Sequence, residues 1–142
     1  MNEDTYFIGL DAVNSPNWKW MPGMLYVVNR PAPLEPVVGR VPDQVRGWAP
    51  YPGAVPNFDD PATLGCLLAL VRQVVGDPGL HVRLTNTARK SDGLRAWEVQ
   101  GRIRTPQGPV GHTRTFLAWG YATEAAALVD TLSFSTEDET SL

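Results

Sequence analysis

The stretch DDPATLGCLLALVRQVVGDPGLHVRL, residues 59–84, decides the fold, because it has the pattern of a capped helix followed by a strand. Asp60 is a good N-cap, since its carboxylate can accept hydrogen bonds from free backbone N–H groups. Pro61 follows at the first helical position, where its missing donor costs nothing. Gly76 and then Pro78 terminate the pattern. The sequence therefore predicts a helix that begins at Pro61 and ends before Gly76.

The apolar residues of this helix recur at spacings of three and four, which is the period of one helical face. The stripe consists of Leu64, Leu67, Leu68, Val71, Val74 and Val75, and it is widened by Cys66 and Leu70. The pattern predicts a mostly buried helix, with Leu67, Leu68 and Val71 packed against the sheet face that carries Trp97, Val99 and Ile103. Cys66, the single cysteine, is typical of a small buried hydrophobe, and a reducing compartment is expected.

Three segments after the helix show the alternation of β-strands. They are HVRLT (81–85), RAWEVQGRIR (95–104) and HTRTFLAWG (112–120), with the turn TPQGPVG (105–111) before the last. In the middle segment one face holds Trp97, Val99, Gly101 and Ile103, and the other holds Glu98, Gln100, Arg102 and Arg104. In the last segment Leu117 and Trp119 are expected to point inward. Phe116 and Ala118 favour the opposite register.

A second helix follows the strands, with Thr123 as its cap and Glu124 placed favourably in its first turn. Its expected inner stripe consists of Ala125, Leu128, Val129 and Leu132. The second half of the chain therefore has the order helix, three antiparallel strands, helix. Two helices that cover one face of an antiparallel sheet define an α+β fold.

The length of 142 residues fits a single domain, which we place at 1–136. Within it, residues 1–58 are a segment of strands and loops rich in proline and tryptophan. Residues 59–134 form the helix, the three strands and the last helix. The acidic residues 135–142 are expected to be a disordered tail.

The first segment differs from the rest in composition, because ten of the 13 prolines and three of the five tryptophans lie in residues 1–61. This composition predicts irregular, turn-rich structure with one or two strands. MLYVVN (24–29) is the clearest strand, and PVVGRV (36–41) is a weaker candidate for an edge strand because prolines bound it. MLYVVN fits an edge strand that pairs between subunits and an internal strand equally well, so a homo-oligomer stays possible.

The net charge of −3 is unevenly distributed. Residues 1–79 carry five Lys/Arg and eight Asp/Glu, residues 80–115 carry seven and two, and residues 116–142 carry none and five. The middle part is therefore basic, and its candidates for contact with an anionic partner are Arg83, Arg102, Arg104 and Arg114. A solvated strand face explains the same arginines without a partner.

Aromatic residues in proline-rich and glycine-rich segments offer a second candidate surface. Rings held on loops present flat apolar area and lose little entropy on binding. The candidates are Trp18, Trp20, Trp48 and Tyr51, with Arg40 or Arg46 placed to meet a phosphate group. The alternative is that the rings cover the free face of the sheet, and some of them can do both.

Catalytic and metal-binding patterns are not found in the sequence. His81 and His112 begin two separate strands, and helix capping already explains the pair Asp59 and Asp60. The sequence also has no phosphate-binding loop and no paired-cysteine zinc motif. We therefore expect no enzyme and no cofactor. Residues 1–20 have neither the basic start of a signal peptide nor a membrane span, so a cytoplasmic protein without membrane partners is expected.

The helix motif DDPATLGCLLALVRQVVGDPG resembles a segment of small bacteriophage and prophage proteins. In those proteins a W-x-x-G-M element precedes the helix, and Trp20-Met-Pro-Gly23-Met24 is similar to it. GYATEAAALVDTL also resembles their last helix. The resemblance implies a phage origin and no known activity, so it assigns no functional residues.

Small phage proteins without enzymatic motifs are often accessory factors. The resemblance therefore leads us to expect an inhibitor of a bacterial defence system, present in the cytoplasm of the infected host. Such an inhibitor binds a host defence protein or sequesters a signalling nucleotide. The alternative is a small nucleic-acid-binding module that uses the basic strand face.

Overall fold

A computed structural model of the protein describes residues 1–88, 95–105 and 112–133. Within these ranges the elements are α1 (Glu3–Val13), β1 (Leu25–Val28), β2 (Val37–Arg40), β3 (Val55–Pro56), α2 (Pro61–Val75), β4 (His81–Ala88), β5 (Arg95–Thr105), β6 (His112–Tyr121) and α3 (Glu124–Leu132). The α+β class and the element order of the second half are confirmed. The chain divides into two compact units, Met1–Leu67 and a second that begins at Leu68, so the boundary lies within α2.

The sheet of the first unit has the order β2-β1-β3, and both pairings are antiparallel. Val27 in β1 lies opposite Val38 on one side and opposite Val55 on the other. The two strands predicted in this half are confirmed, and β2 lies at the edge as expected. β1 is the internal strand of this sheet.

The N-terminal helix α1 was not predicted, although its cap follows the usual chemistry. The side chain of Asn2 accepts a hydrogen bond of 2.8 Å from the backbone N–H of Thr5. The residues that α1 buries are the small ones, namely Thr5, Gly9 and Ala12. A Cβ on Gly9 would lie 2.7 Å from the backbone oxygen of Pro56, so α1 approaches β3 too closely for a larger residue.

The long helix α2 begins at Pro61 and ends before Gly76, as predicted. Asp60 caps it, because its Oδ2 accepts a hydrogen bond of 3.1 Å from the N–H of Thr63. Leu67 and Val71 are fully buried, but Leu68 is only half-buried, so its predicted burial is wrong. The buried stripe instead passes through Thr63, Leu67, Leu70, Val71 and Val75.

The second unit contains the sheet β4-β5-β6, in which each strand is antiparallel to the next. α3 packs against all three strands. Thr123 caps α3, since its hydroxyl oxygen accepts a hydrogen bond of 3.1 Å from the N–H of Ala126. The predicted inner stripe is confirmed, because Ala125, Leu128, Val129 and Leu132 are all buried.

The alternation predicted for β5 holds only in part. Val99 and Gly101 are buried as expected, whereas Glu98, predicted on the solvent face, is buried as well. The prediction for Glu98 is wrong because both faces of this central strand are covered here. Ala96 and Glu98 are buried on one face, and Val99 is buried on the other. β5 also changes register with β6 between Trp97 and Val99.

Several predictions fall on residues outside the described part of the chain. They concern the turn beyond Thr105, the tail 135–142, and the side chains of Ile103, Phe116, Leu117 and Trp119.

Candidate functional site

The structure brings together the four aromatic residues that were predicted as a binding surface. Trp20, Trp48 and Tyr51 contact the ring of Tyr26 in β1, and Trp18 contacts that of Trp20. We call Trp18, Trp20, Tyr26, Trp48 and Tyr51 the aromatic cluster. Successive ring centroids are 5.3 Å apart for Trp18 and Trp20, 6.2 Å for Trp20 and Trp48, and 6.2 Å for Tyr26 and Tyr51. Loop residues therefore converge on a strand of the sheet, and no pattern in the sequence indicated that Tyr26 is their centre.

Neighbouring tryptophan rings of the cluster meet edge to face. The ring planes of Trp18 and Trp20 are inclined by 83°, and those of Trp20 and Trp48 by 76°. Such contacts are favourable for the ring quadrupoles, but they fill the face of one ring with the edge of the next. Between these tryptophans there is no parallel gap in which a base could stack.

The members of the cluster differ in how deeply they are buried. Trp18, Trp20 and Trp48 are half-buried against a core that includes Met24 and Tyr26. Tyr51 is different, because 56% of it is exposed while its ring contacts that of the buried Tyr26. The cluster therefore has an inner part that is core and an outer part at the surface.

One polar atom of the cluster is unsatisfied. The indole nitrogen Nε1 of Trp18 is buried, and no hydrogen-bond partner for it occurs among the residues that the structure describes. Its ring is held between those of Trp20 and Phe58, at 5.3 and 6.2 Å. An unpaired buried donor costs about 1–3 kcal/mol, so packing of the ring must offset this loss.

The two arginines predicted beside the cluster have different surroundings. The guanidinium of Arg40 forms a bidentate pair with Asp60, with both N···O distances 2.9 Å, and also donates to the backbone oxygen of Gly23 at 2.9 Å. Arg46 is exposed, and no hydrogen bond or ion pair of its side chain occurs in the described part of the chain. The fork of Arg40 is thus already occupied by a carboxylate, whereas Arg46 is free to meet an anion.

Asp60 connects this arginine to the start of α2. Besides the cap, its Oδ2 accepts a hydrogen bond of 2.8 Å from the hydroxyl of Thr63. That hydroxyl oxygen in turn accepts a bond of 2.7 Å from the N–H of Leu25 in β1. The hydrogen bond from Arg40 is the largest of the effects that hold the pKa of Asp60 far below its usual range.

Cys66 lies in the same helix and is half-buried against the core that includes Met24 and Tyr26. Its Sγ is 3.6 Å from the backbone oxygen of Pro22. Burial, and to a smaller extent the charge of Asp60, raises the pKa of the thiol. A raised pKa disfavours the thiolate, which is the reactive form of cysteine.

The basic strand face of the second unit is less uniform than the sequence indicated. Nε of Arg83 is 3.1 Å from Oε1 of the buried Glu98, and the amide of Gln100 donates to the same oxygen at 3.0 Å. Arg102 is exposed. Arg83 therefore neutralises a carboxylate of its own sheet, whereas Arg102 has no ion pair in the described ranges.

The other two arginines of that face are placed only by their backbone. β5 and β6 pair Arg104 with Thr113 and Ile103 with Arg114. Arg104 and Arg114 are therefore not partners across the two strands. Their side chains, like that of His112, lie outside the described residues.

An open groove of about 400 Å³ lies beside Arg102. It is lined by Asp77, Gly79, His81, Gln100, Gly101 and Arg102. The carboxylate of Asp77 accepts hydrogen bonds from the backbone N–H of Arg102 at 2.7 Å and from that of Gly79 at 2.9 Å, and these bonds lower its pKa. A carboxylate and a guanidinium thus share the groove, which gives it no strong preference for anions.

The described residues contain no group of three or more His, Cys, Asp or Glu side chains that could hold a metal ion. Among the described helices, none has the length and apolar character needed to cross a membrane. Comparisons of the chain with protein-family models, with curated proteins and with solved structures find no match.

Proposed function

We propose that this protein is a non-enzymatic binding protein and that it contacts its partner through the outer part of the aromatic cluster, around Trp48 and Tyr51. The observation that carries the proposal is the position of Tyr51, which is 56% exposed and backed by the buried ring of Tyr26. A ring supported in this way keeps its orientation in the free protein. Little conformational entropy is then lost on binding, which favours such residues as contact points.

The surroundings of the cluster favour a protein partner over a signalling nucleotide. The tryptophan rings leave no parallel gap for a base, and Arg40 is already paired with Asp60. Residues 1–67 also carry four Lys/Arg and seven Asp/Glu, a balance that repels phosphate groups. Arg46 alone is a weak basis for binding a charged nucleotide.

The setting that we propose is the cytoplasm of a bacterium infected by a phage, with a host defence protein as the partner. The support for this setting is the resemblance of α2, of the Trp20 to Met24 element and of the last helix to small phage proteins. The surface itself supports only the coarser proposal of a protein-binding surface.

The nucleic-acid alternative has less support from the described residues. Arg83 is neutralised by Glu98, and the groove beside Arg102 contains the carboxylate of Asp77. A face that contacts phosphates at two to four positions would give a steep salt dependence on duplex DNA, with a log-log slope of about −2 to −4. We expect no retention on DNA at about 50 mM salt, where non-specific binding is strong.

The test of the main proposal compares three immobilised proteins, the wild type, Tyr51→Ala and Phe7→Ala, in a lysate of bacterial host cells. Phe7 is a matched control, because it is an aromatic residue with 51% exposure that lies outside the cluster. Quantitative mass spectrometry should find a protein that the wild type and Phe7→Ala retain equally. Tyr51→Ala should retain at least about tenfold less of it, as expected for a central aromatic contact.

Two results would contradict the proposal. The first is equal retention of the same proteins by Tyr51→Ala and the wild type. The second is a nucleotide, rather than a protein, that remains bound to the wild type in native mass spectrometry and is lost in Tyr51→Ala. A melting temperature of Tyr51→Ala close to that of the wild type shows that the comparison concerns binding and not folding.

A further inference from the structure

The edge strand β2 of the first sheet has backbone groups that point away from its neighbour. β2 ends the strand order β2-β1-β3, and the N–H of Val41, just after β2, donates to the backbone oxygen of Met24 at 2.9 Å. In an antiparallel pair the residues that exchange hydrogen bonds alternate with those that do not. Counting back from Val41, Gly39 and Val37 direct their backbone groups toward β1. Val38 and Arg40 direct theirs away from it.

The hydrogen bonds of β1 support the same alternation. Leu25 lies opposite Arg40, and the backbone N–H and oxygen of Leu25 point away from β2. Its N–H donates to the hydroxyl oxygen of Thr63 at 2.7 Å, and its oxygen accepts from the N–H of Asn57 at 2.9 Å. For the backbone groups of Val38 and Arg40 there is no hydrogen-bond partner among the described residues.

Two prolines limit this open edge to a short window. Pro36 and Pro42 continue the outward series of positions 36, 38, 40 and 42, and neither has an N–H to offer. Prolines and short strands are common protections of a sheet edge against uncontrolled pairing. Here Val38 and Arg40 are the two outward positions that keep an N–H, and Val38 is 59% exposed.

The aromatic cluster lies along one face of this window. Gly39 is opposite Tyr26, and a Cβ on Gly39 would lie 2.5 Å from the hydroxyl oxygen of Tyr26. The ring of Tyr51 contacts that of Tyr26 at 6.2 Å. A chain placed along the free edge would therefore have the cluster on the Gly39 face and Val38 on the other face.

We propose that β2 binds an extended segment of the partner protein as an added strand, through the backbone groups of Val38 and Arg40. This inference rests on the proposed function and specifies how the partner is bound. Unpaired N–H and C=O groups on an extended chain are complementary to another extended chain, and strand addition is a common way of recognising peptides. We expect the bound partner segment to be uncharged where it lies along β2, because the charge of Arg40 is already neutralised by Asp60. A β-branched residue fits beside Val38.

The test uses a displayed library of random eight-residue peptides as the probe, selected on the wild-type protein. Val38→Pro removes the outward N–H but no bond to β1, and Val38→Thr is the matched control that keeps the N–H and the β-branched shape. Synthetic peptides from the selection should bind Val38→Thr as they bind the wild type. They should bind Val38→Pro at least about tenfold more weakly, because a backbone hydrogen bond and the close approach of the strand are both lost.

A second measurement does not depend on the folding of the proline variant. The selected peptide should lose binding to the wild type when N-methyl groups replace its N–H groups at alternate positions, and only one of the two alternations should have this effect. Hydrogen exchange should show protection of the Val38 and Arg40 amides when the unmodified peptide is bound. Equal binding of N-methylated peptides, or protection confined to other residues, would overturn the inference, and so would a selection that returns no binder.

The failures of the two proposals are distinguishable in the lysate experiment. If Val38→Pro retains the partner and Tyr51→Ala loses it, the added strand is wrong and the proposed function stands. If both variants retain the partner, both proposals fail. If light scattering shows a wild-type dimer that Val38→Pro abolishes, and no peptide binds, the edge is occupied by a second copy and the inference is overturned.

Discussion

The two units build their cores in opposite ways. The first has strands of four, four and two residues, and large rings from loops fill the space that short strands leave. The second has strands of eight, 11 and ten residues, covered by the aliphatic side chains of α3. Rings that fill gaps between loops also reach the surface, as Tyr51 does, whereas α3 buries its apolar stripe. A core built from loop residues can therefore leave part of an aromatic ring exposed.

The ion pairs of the two units show a second contrast. Asp60 is paired with Arg40 at the start of a helix, where it also has backbone partners. Glu98 is paired with Arg83 in the middle of a sheet, with only 6% of its side chain exposed. In both units an arginine expected to meet an external anion instead neutralises a carboxylate of the protein. The cost of losing that arginine should differ between them, because the two carboxylates differ in burial and in other partners.

The largest effect is expected at the boundary of the two units, where neighbouring leucines differ in burial. Leu67 is fully buried and Leu68 is half-buried. Leu67→Ala should lower the free energy of unfolding by about 2–5 kcal/mol, the range for a leucine removed from a packed core. Leu68→Ala should cost only about 1 kcal/mol. Urea unfolding of both variants measures the difference, and equal losses would mean that the buried face of α2 has been assigned wrongly.

The orientation of α2 illustrates what the sequence could predict. Its bounds follow from local chemistry, since a capping aspartate, a first-turn proline and a terminal glycine act within a few residues. Which of its apolar residues are fully buried depends on the partners of the helix. The hydroxyl of Thr63 accepts from Leu25, a residue 38 positions away, and this bond puts Thr63 on the buried stripe. Periodicity alone placed Leu68 on that stripe.

The helix α1, which was not predicted, also shows that the buried face of a helix depends on its packing partners. Its large apolar residues do not form its buried face, since Phe7 is 51% exposed while Gly9 and Ala12 are buried. The large apolar residues at helical spacing, Tyr6, Leu10 and Val13, are only half-buried, so an apolar stripe does not mark the face that the helix buries most completely. Asn2 as a cap, followed by acidic residues in the first turn, was the signal that could have been used.

The candidate sites were predictable as residue types but not as arrangements. Aromatic residues in proline-rich loops indicated a cluster. Its centre, Tyr26, lies in a strand, and the strand pattern does not show which loop residues pack on it. The pairing of Arg83 with Glu98 joins two strands in a register that alternation does not specify. The free edge of β2 could be identified only once β1 was known to lie between β2 and β3.

The next effect tests the ion pair in the second unit. Arg83→Met leaves the carboxylate of Glu98 buried with only Gln100 as a described partner, so the variant should lose about 1–3 kcal/mol of stability. Arg102→Met is the matched control and should change stability by less than about 0.5 kcal/mol, since its side chain is exposed. The double variant with Met at both Arg83 and Glu98 should recover most of the loss. A double variant no more stable than Arg83→Met would show that burial of Glu98 is not the cause.

A smaller effect is expected for the ion pair of the first unit. Asp60→Ala removes the cap of α2 and the partner of Arg40, and should cost about 0.5–2 kcal/mol. The control is Asp43→Ala, because Asp43 is exposed and makes no hydrogen bond within the described ranges. Denaturant unfolding of both variants gives the comparison at neutral pH.

Acid should remove this contribution of Asp60. Its pKa is lower in the folded protein than in the unfolded chain, so its stabilisation is fully present above the unfolded pKa of about 3.9. The stabilisation is lost as the pH falls below that value toward the folded pKa. The gap in stability between the wild type and Asp60→Ala should therefore be constant near neutral pH and close in acid. A gap that widens in acid would reverse the assigned direction of the pKa change.

The smallest effect concerns a tyrosine of the second unit that is opposite in character to the exposed ring of Tyr51. Burial, and next the hydrogen bond and charge of Asp130, raises the pKa of Tyr121 to about 12. The neutral phenol is therefore favoured in the fold. Its stabilising contribution is present below the unfolded pKa of about 10 and is lost as the pH rises through about 12. Ultraviolet titration of phenolate formation, with Tyr121→Phe to identify the late component, measures this pKa.

Asp130→Asn separates the causes of that shift. The substitution removes the negative charge of Asp130 while burial of the phenol stays, and burial is the larger cause. The pKa of Tyr121 should therefore fall only part of the way toward its ordinary value. A complete return to about 10 would show that Asp130 alone holds the proton on Tyr121. Burial would then not be the main cause of the shift, and the contrast with the exposed ring of the first unit would rest on charge and not on packing.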